Sequence, residues 1–192
     1  EISECLVGSE MCIRDRRQSE CAEKHTMTRQ AYLDIIYKKT ACLIGVSASA
    51  GAMAVGASQQ KVALMRRFGE AVGMAFQIQD DILDYTRTAH TGKPANNDLR
   101  EGKITLPLLA VLDKAPAERR TELLGRLACC HDDEESVEYL QRTVENEGGL
   151  TFAAEVMRSY IARAVEMLSE YEASDYRTAL ANLCAYIAER DR

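Results

Sequence analysis

From Leu64 to Ile82 the apolar residues Leu64, Phe68, Ala71, Ala75, Ile78 and Ile82 recur in alternating steps of four and three. That rhythm keeps one stripe of a 3.6-residue helix apolar, so the segment reads as a helix buried along that side. A second stripe, Gly73, Gln77, Asp80 and Asp84, follows the same rhythm on roughly the opposite side. Such a helix is expected to bury one side and line a polar cavity with the other. Within it, Phe76-Gln77-Ile78-Gln79-Asp80-Asp81-Ile82-Leu83-Asp84 places three carboxylates within five residues. Asp80 and Asp84 share a face one turn apart, where like charges repel. A bound hard cation is the usual compensation, and Mg²⁺ favours a few carboxylates completed by waters and substrate phosphates. Taken alone, the triplet reads equally well as a solvated acidic face near a helix end.

The stretch that follows favours the cation. Thr91-Gly92-Lys93-Pro94-Ala95-Asn96-Asn97-Asp98 is rich in helix breakers, and Arg87 to Lys103 is expected to be a loop. It carries Arg87, Lys93, Arg100 and Lys103 before Thr105-Leu106-Pro107 opens another apolar helix, with proline where a first turn tolerates it. Carboxylates on a helix followed by a basic loop suit a metal–diphosphate complex: the acids hold the metal and the lysines neutralise phosphate oxygens. Each lysine alone reads more simply as a solvated side chain.

The rest of the pattern is helical. Helices are expected from Thr28 to about Ser58, Gln60 to Thr86, Thr105 to Lys114, Ala117 to Cys129, Asp133 to Asn146, Leu150 to Glu172 and Ser174 to Glu189. Gly148-Gly149 suits a helix stop and Ser174 an N-cap. Tyr160, Ala164, Met167, Leu168 and Tyr171 form an apolar stripe best read as core, with a share in the wall of an apolar tunnel as the alternative. No alternating β pattern or repeat is present, so the fold class is an all-α helical bundle. Thr40 to Gln60 carries no charge, a length that could span a bilayer, but its Ala, Gly and Ser give little drive for insertion. A central helix packed tightly in the bundle, with no stable membrane span, is the expectation.

Charge and cysteines exclude other classes. A net charge of −6 argues against non-specific nucleic-acid binding. The 7 cysteines are odd in number and lack C-x-x-C spacing, which indicates reduced thiols in a cytoplasmic protein. His25, His90 and His131 are scattered and offer no metal-ligand spacing.

Several segments together resemble the trans-type polyprenyl diphosphate synthases, the isoprenyl chain-elongation enzymes. They are Lys39-Thr40-Ala41, Phe76-Gln77-x-x-Asp80-Asp81-x-x-Asp84, Gly92-Lys93-Pro94, Asp98-Leu99-Arg100-Glu101-Gly102-Lys103 and Thr105-Leu106-Pro107-Leu108. The end of the chain, from Gly148-Gly149 through Tyr160, Ala164 and Tyr176-Arg177 to Tyr186-Ile187 and Arg190, looks similar too. The resemblance covers about Thr28 to the end. It implies the helical bundle of the isoprenoid synthase type and condensation of an allylic diphosphate with isopentenyl diphosphate, with Mg²⁺ as cofactor. It further implies that Asp80, Asp81 and Asp84 ligate the metal or hold its waters. Lys39, Thr40, Gln77, Lys93 and Lys103 would bind the diphosphate, and Phe76 would lie near the isoprenoid. Lys39 and the three aspartates would carry the catalysis, and the full-length enzyme would be a homodimer.

The departures bear on activity. The family carries an earlier Asp-rich motif followed by paired arginines, which this chain lacks; Asp132-Asp133-Glu134-Glu135 falls too late, and Arg16-Arg17 has no aspartates before it. The bundle is therefore expected to be incomplete at its N-terminus, the C-terminal part of such an enzyme, weakly active or inactive alone. Cys5 to Arg16 resembles translated sequencing-library adapter, so residues 1–16 are expected to be non-native and 17–192 to form the helical domain. Two alternatives stay open: a non-catalytic partner subunit of a prenyl synthase, and a related class I terpenoid synthase.

Overall fold

The computed structural model describes residues 27–86 and 95–190. They form helices α1 (Arg29–Ile36), α2 (Cys42–Ala54), α3 (Gln59–Thr86), α4 (Asn97–Arg100), α5 (Leu106–Leu112), α6 (Ala117–Cys129), α7 (Glu134–Asn146), α8 (Gly149–Leu168) and α9 (Asp175–Glu189). A π-helical segment, Tyr37–Ala41, joins α1 to α2, and no strand occurs among the described residues. The helix starts are chemically marked. Thr28 Oγ1 accepts the Ala31 N–H at 3.2 Å, Asp133 caps α7, and Ser174 Oγ accepts the Arg177 N–H at 3.2 Å, as expected for that serine.

Helix α3 is the axis of the bundle, packed between α2 and α8 and touched by α1, α5 and α9. Its apolar stripe is buried at Phe68, Ala71, Ala75 and Ile78 and meets the leucines of α5, α6 and α7 in one core. Every residue of α5 is buried, so this short helix is held by burial on all sides rather than by intrinsic propensity.

The opposite stripe of α3 differs from expectation. It does not line a cavity along its length, because Gly73 and Gln77 are buried beneath the π segment. A Cβ at Gly73 would lie 2.5 Å from Ala41 Cα, so only glycine lets the two backbones approach this closely. The stripe reaches the surface at Asp80, whose side chain is 42% exposed.

Helix α2 also departs from expectation: it flanks α3 rather than occupying the centre. Glycines on both sides of the contact do let it pack tightly, since a Cβ at Gly45 of α2 would lie 3.0 Å from the Arg66 carbonyl oxygen and one at Gly69 of α3 2.7 Å from the Ile44 carbonyl oxygen. Only Gly45 and Ser49 of α2 are buried, however, and Leu43, Val46 and Met53 face outward. Among the described residues no helix is long and apolar enough to cross a membrane. In the expected 87–103 loop, residues 95–103 contain the single helical turn α4; residues 87–94, Lys93 and the Gly92-Lys93-Pro94 motif among them, lie outside the described residues, as does the 1–16 segment.

Candidate functional site

The three aspartates on α3 point to three environments. Successive residues on a helix are rotated by about 100°, so Asp81 cannot face where Asp80 faces. Asp80 lies at the rim, where Arg190 Nη2, carried just beyond the end of α9, meets its Oδ1 at 3.1 Å. The same guanidinium sits 4.6 Å over the Phe76 ring, and the Arg190 carbonyl accepts from Gln79 Nε2 at 2.7 Å. The end of α9 is thereby fastened to α3 by a charge, a ring and an amide together.

Asp81 points inward and is 6% exposed. Its Oδ2 accepts from the Tyr32 hydroxyl at 2.7 Å and its Oδ1 from Gln77 Nε2 at 2.9 Å. Burial pushes this carboxyl up to about 7, although both hydrogen bonds and Lys39 favour the charged form and pull it down. Burial and the neighbouring carboxylate in turn hold the Tyr32 hydroxyl well above its ordinary pKa.

Asp84 is buried and works as a cap. Its Oδ2 accepts the Asp98 N–H at 2.9 Å, and its carbonyl accepts the Asn96 N–H at 2.8 Å. This fastens the start of α4 onto α3. Asn96 takes the left-handed backbone region, with φ 60, which asparagine tolerates better than most residues. Its amide donates to Gln141 Oε1 at 2.7 Å, tying the turn to α7.

The cations arrive from two directions. Lys103 Nζ lies 3.2 Å from Asp98 Oδ1 and 2.5 Å from Glu101 Oε2. Burial would lower its pKa, but these two partners outweigh burial and hold it above the ordinary lysine value. Lys39 is exposed on the π segment, near enough to draw on both Asp81 and Glu101. Beside it, the Thr40 hydroxyl donates to Gln77 Oε1 at 3.1 Å. A π turn displaces the side chains after it relative to a regular helix and is frequent at functional sites.

The structure therefore brings Lys39, Thr40, Gln77, Asp80, Asp81, Asp84 and Lys103 to one end of α3, with Phe76 beside Arg190. Three participants were not singled out as site residues from the sequence: Tyr32, Asp98 and Arg190. Asp98 and Arg190 stood inside recognisable segments and could have been found. Tyr32, 49 residues from its partner, offers no local signal. Among the described residues no three His, Cys, Asp or Glu side chains form a group that could hold a metal by themselves. A Mg²⁺ site does not require one, since this ion commonly takes one or two carboxylates and fills its octahedron with water and phosphate oxygens. Asp80 and Asp84, on adjacent turns, fit such a donor set.

Comparison with known proteins bears on the family and the fold. Residues 7–145 match the model of the family described as polyprenyl synthetase. The chain is 36% identical over 170 residues to a short chain isoprenyl diphosphate synthase of Methanothermobacter thermautotrophicus, covering 88% of this chain and 52% of that protein. It is 32% identical over 182 residues to heptaprenyl diphosphate synthase component 2 of Bacillus subtilis, covering 94% and 51%. Among solved structures, a polyprenyl synthase from Caulobacter crescentus, crystallised with calcium and isoprenyl diphosphate, superposes with a TM-score of 0.87 at 29% identity, covering 97% of this chain and 57% of that one. A geranylgeranyl pyrophosphate synthetase from Pyrococcus horikoshii gives a TM-score of 0.85 at 30% identity, covering 96% and 56%. The chain spans about half the length of the curated relatives it matches. On the family match and these identities, the chain belongs to the polyprenyl synthetase family.

Proposed function

We propose that this chain supplies the Asp80–Asp84 helix and the diphosphate-binding cations of a prenyl-transfer site. In the proposed reaction the C–O bond of an allylic diphosphate breaks, a C–C bond forms to isopentenyl diphosphate, and a proton and pyrophosphate leave. The observation that carries this reading is the convergence of Asp80, Asp84, Lys39 and Lys103 on one end of a single buried helix. Asp80 and Asp84 are the proposed holders of Mg²⁺, which when bound would offset the charge of the departing diphosphate. Lys39, Thr40 and Lys103 bind the diphosphate oxygens, with Lys93 assigned by its motif alone. Preformed positive charge at the leaving group stabilises the separating charges without a nucleophilic side chain. Phe76 is the proposed neighbour of the isoprenoid chain.

The four described free cysteines accord with a cytoplasmic protein. We propose a homodimer for the complete enzyme. The Bacillus relative is named as component 2 of its synthase, which supports a second reading, a subunit that works with an unlike partner.

The test is calorimetric titration of the chain with a non-hydrolysable allylic diphosphate analogue, with and without Mg²⁺. Mg²⁺-dependent binding that disappears in Asp80→Ala is the expected result. Binding that survives Asp80→Ala unchanged refutes the acid-helix assignment. Product analysis with labelled isopentenyl diphosphate then reads condensation directly.

A further inference from the structure

The innermost aspartate is engaged in a way that a metal ligand need not be. Both oxygens of Asp81 are occupied from inside the protein, by Tyr32 at 2.7 Å and by Gln77 at 2.9 Å. Tyr32 is 3% exposed, Asp81 6% and Gln77 4%, so water competes little for any of these bonds. Gln77 extends the chain: while its Nε2 donates to Asp81, its Oε1 accepts from Thr40 at 3.1 Å. An amide has one donor end and one acceptor end, so fixing the first fixes the second. The relay thus runs from Tyr32 on α1, through Asp81 and Gln77 on α3, to Thr40 on the π segment. Its two ends lie on the same stretch of chain, eight residues apart in sequence. The close approach of Gly73 to Ala41 holds that stretch against α3 directly beneath Thr40.

We propose that Tyr32 is a positioning residue: acting through Asp81 and Gln77, it orients the Thr40 hydroxyl and so presents the Lys39–Thr40 turn to a diphosphate group. Asp81 is then the internal hub of the site, and Asp80 and Asp84 remain as the carboxylates for the cation. The role of the turn rests on the function proposed above, whereas the relay itself does not.

The experiment uses Tyr32→Phe, which keeps the buried ring and removes only the hydroxyl. A control, Ile36→Val, trims the core of the same helix without touching the relay. In the ligand-free chain, the Gln77 side-chain amide and Thr40 methyl NMR signals are expected to move in Tyr32→Phe and to stay in place in Ile36→Val. Titration with inorganic pyrophosphate in the presence of Mg²⁺ is expected to show roughly three- to tenfold weaker binding in Tyr32→Phe, the size of one indirect hydrogen bond, and wild-type binding in Ile36→Val. Unmoved Gln77 and Thr40 signals in Tyr32→Phe overturn the relay. Moved signals with undiminished pyrophosphate affinity overturn the positioning role. Loss of affinity in Ile36→Val equal to that in Tyr32→Phe overturns it as well, since general destabilisation would then account for both. If the wild-type chain binds no pyrophosphate, the diphosphate role falls with the function proposed above, and the ligand-free spectra still decide the relay.

Discussion

Replacing Asp81 by asparagine separates the effect of its buried charge from that of its hydrogen bonds. The carboxyl is displaced from the ordinary 3.8 to about 7, chiefly by burial. At about 1.4 kcal/mol per pH unit this corresponds to roughly 4 kcal/mol between the protonation states, taken as a ceiling. The sign follows from proton uptake. Between these two values the folded chain holds a proton that the unfolded chain has released, so rising pH favours unfolding. The stabilising contribution is complete below about pH 4 and is lost as pH rises through about 7. Asparagine cannot titrate, yet it can keep the bonds: its oxygen accepts from Tyr32, and a reversed Gln77 amide accepts from its NH₂ and donates to the Thr40 hydroxyl. We therefore expect Asp81→Asn to match the wild type near pH 4.5 and to exceed it by about 2–4 kcal/mol near pH 8. Urea unfolding in EDTA, followed by helical circular dichroism across this range, measures the difference. A difference that does not change with pH, or a variant less stable at every pH, would refute the argument that burial sets the state of this carboxyl.

Gly73→Ala places its methyl carbon 2.5 Å from Ala41 Cα, a backbone atom that cannot rotate aside. Despite the better helix propensity of alanine, it should cost about 2–3 kcal/mol in urea unfolding. Asn96→Ala loses the Gln141 bond and strains a left-handed position; a loss of about 1–2 kcal/mol is expected, with Asn96→Gly losing less because glycine takes that conformation freely. Arg190→Ala removes the Asp80 ion pair and the contact with the Phe76 ring. A loss of about 1 kcal/mol at low salt is expected, shrinking as ionic strength rises, as thermal melts would show.

The sequence carried the helices because their signals are local. The four–three spacing from Leu64 to Ile82 located α3 to within a residue at its start, and Ala117–Cys129 begins and ends where the pattern predicted. Gly148-Gly149 and Ser174 marked boundaries through backbone and capping chemistry that needs no distant partner. What stayed hidden depended on who sits opposite. Nothing local shows that Gly73 meets Ala41, so the second stripe of α3 read as cavity lining when most of it is interface. Likewise, the uncharged run from Thr40 to Gln60 revealed close packing but not its direction, and α2 proved to bury one narrow face. Asn97–Arg100 looked like loop because four residues have too little propensity to form a helix alone. They form one because Asp84, fourteen residues earlier, accepts the Asp98 N–H.

The same distinction explains the aspartate triplet. Spacing along a helix fixes direction, and on that ground Asp80 and Asp84 are companions while Asp81 stands apart. Spacing does not fix environment: Asp84 shares a face with Asp80 yet is buried and caps α4, whereas Asp80 is part-exposed and meets Arg190. Burying two carboxylates next to an exposed one is costly unless each has donors, and here each does, from the Asp98 backbone and from Tyr32 with Gln77. Tyr32 on α1 precedes the π segment that carries Lys39, and Asp98 on α4 precedes Lys103, so these two bonds tie the lysine-bearing stretches to α3. Asp81, and Asp84 beside its proposed share in the cation site, thus help to fix the flanking cations in place. Asp81→Ala or Asp84→Ala should therefore disturb diphosphate binding through the lysines, and Asp84→Ala through the metal as well, whereas the cost at Asp80 should fall mainly on the cation.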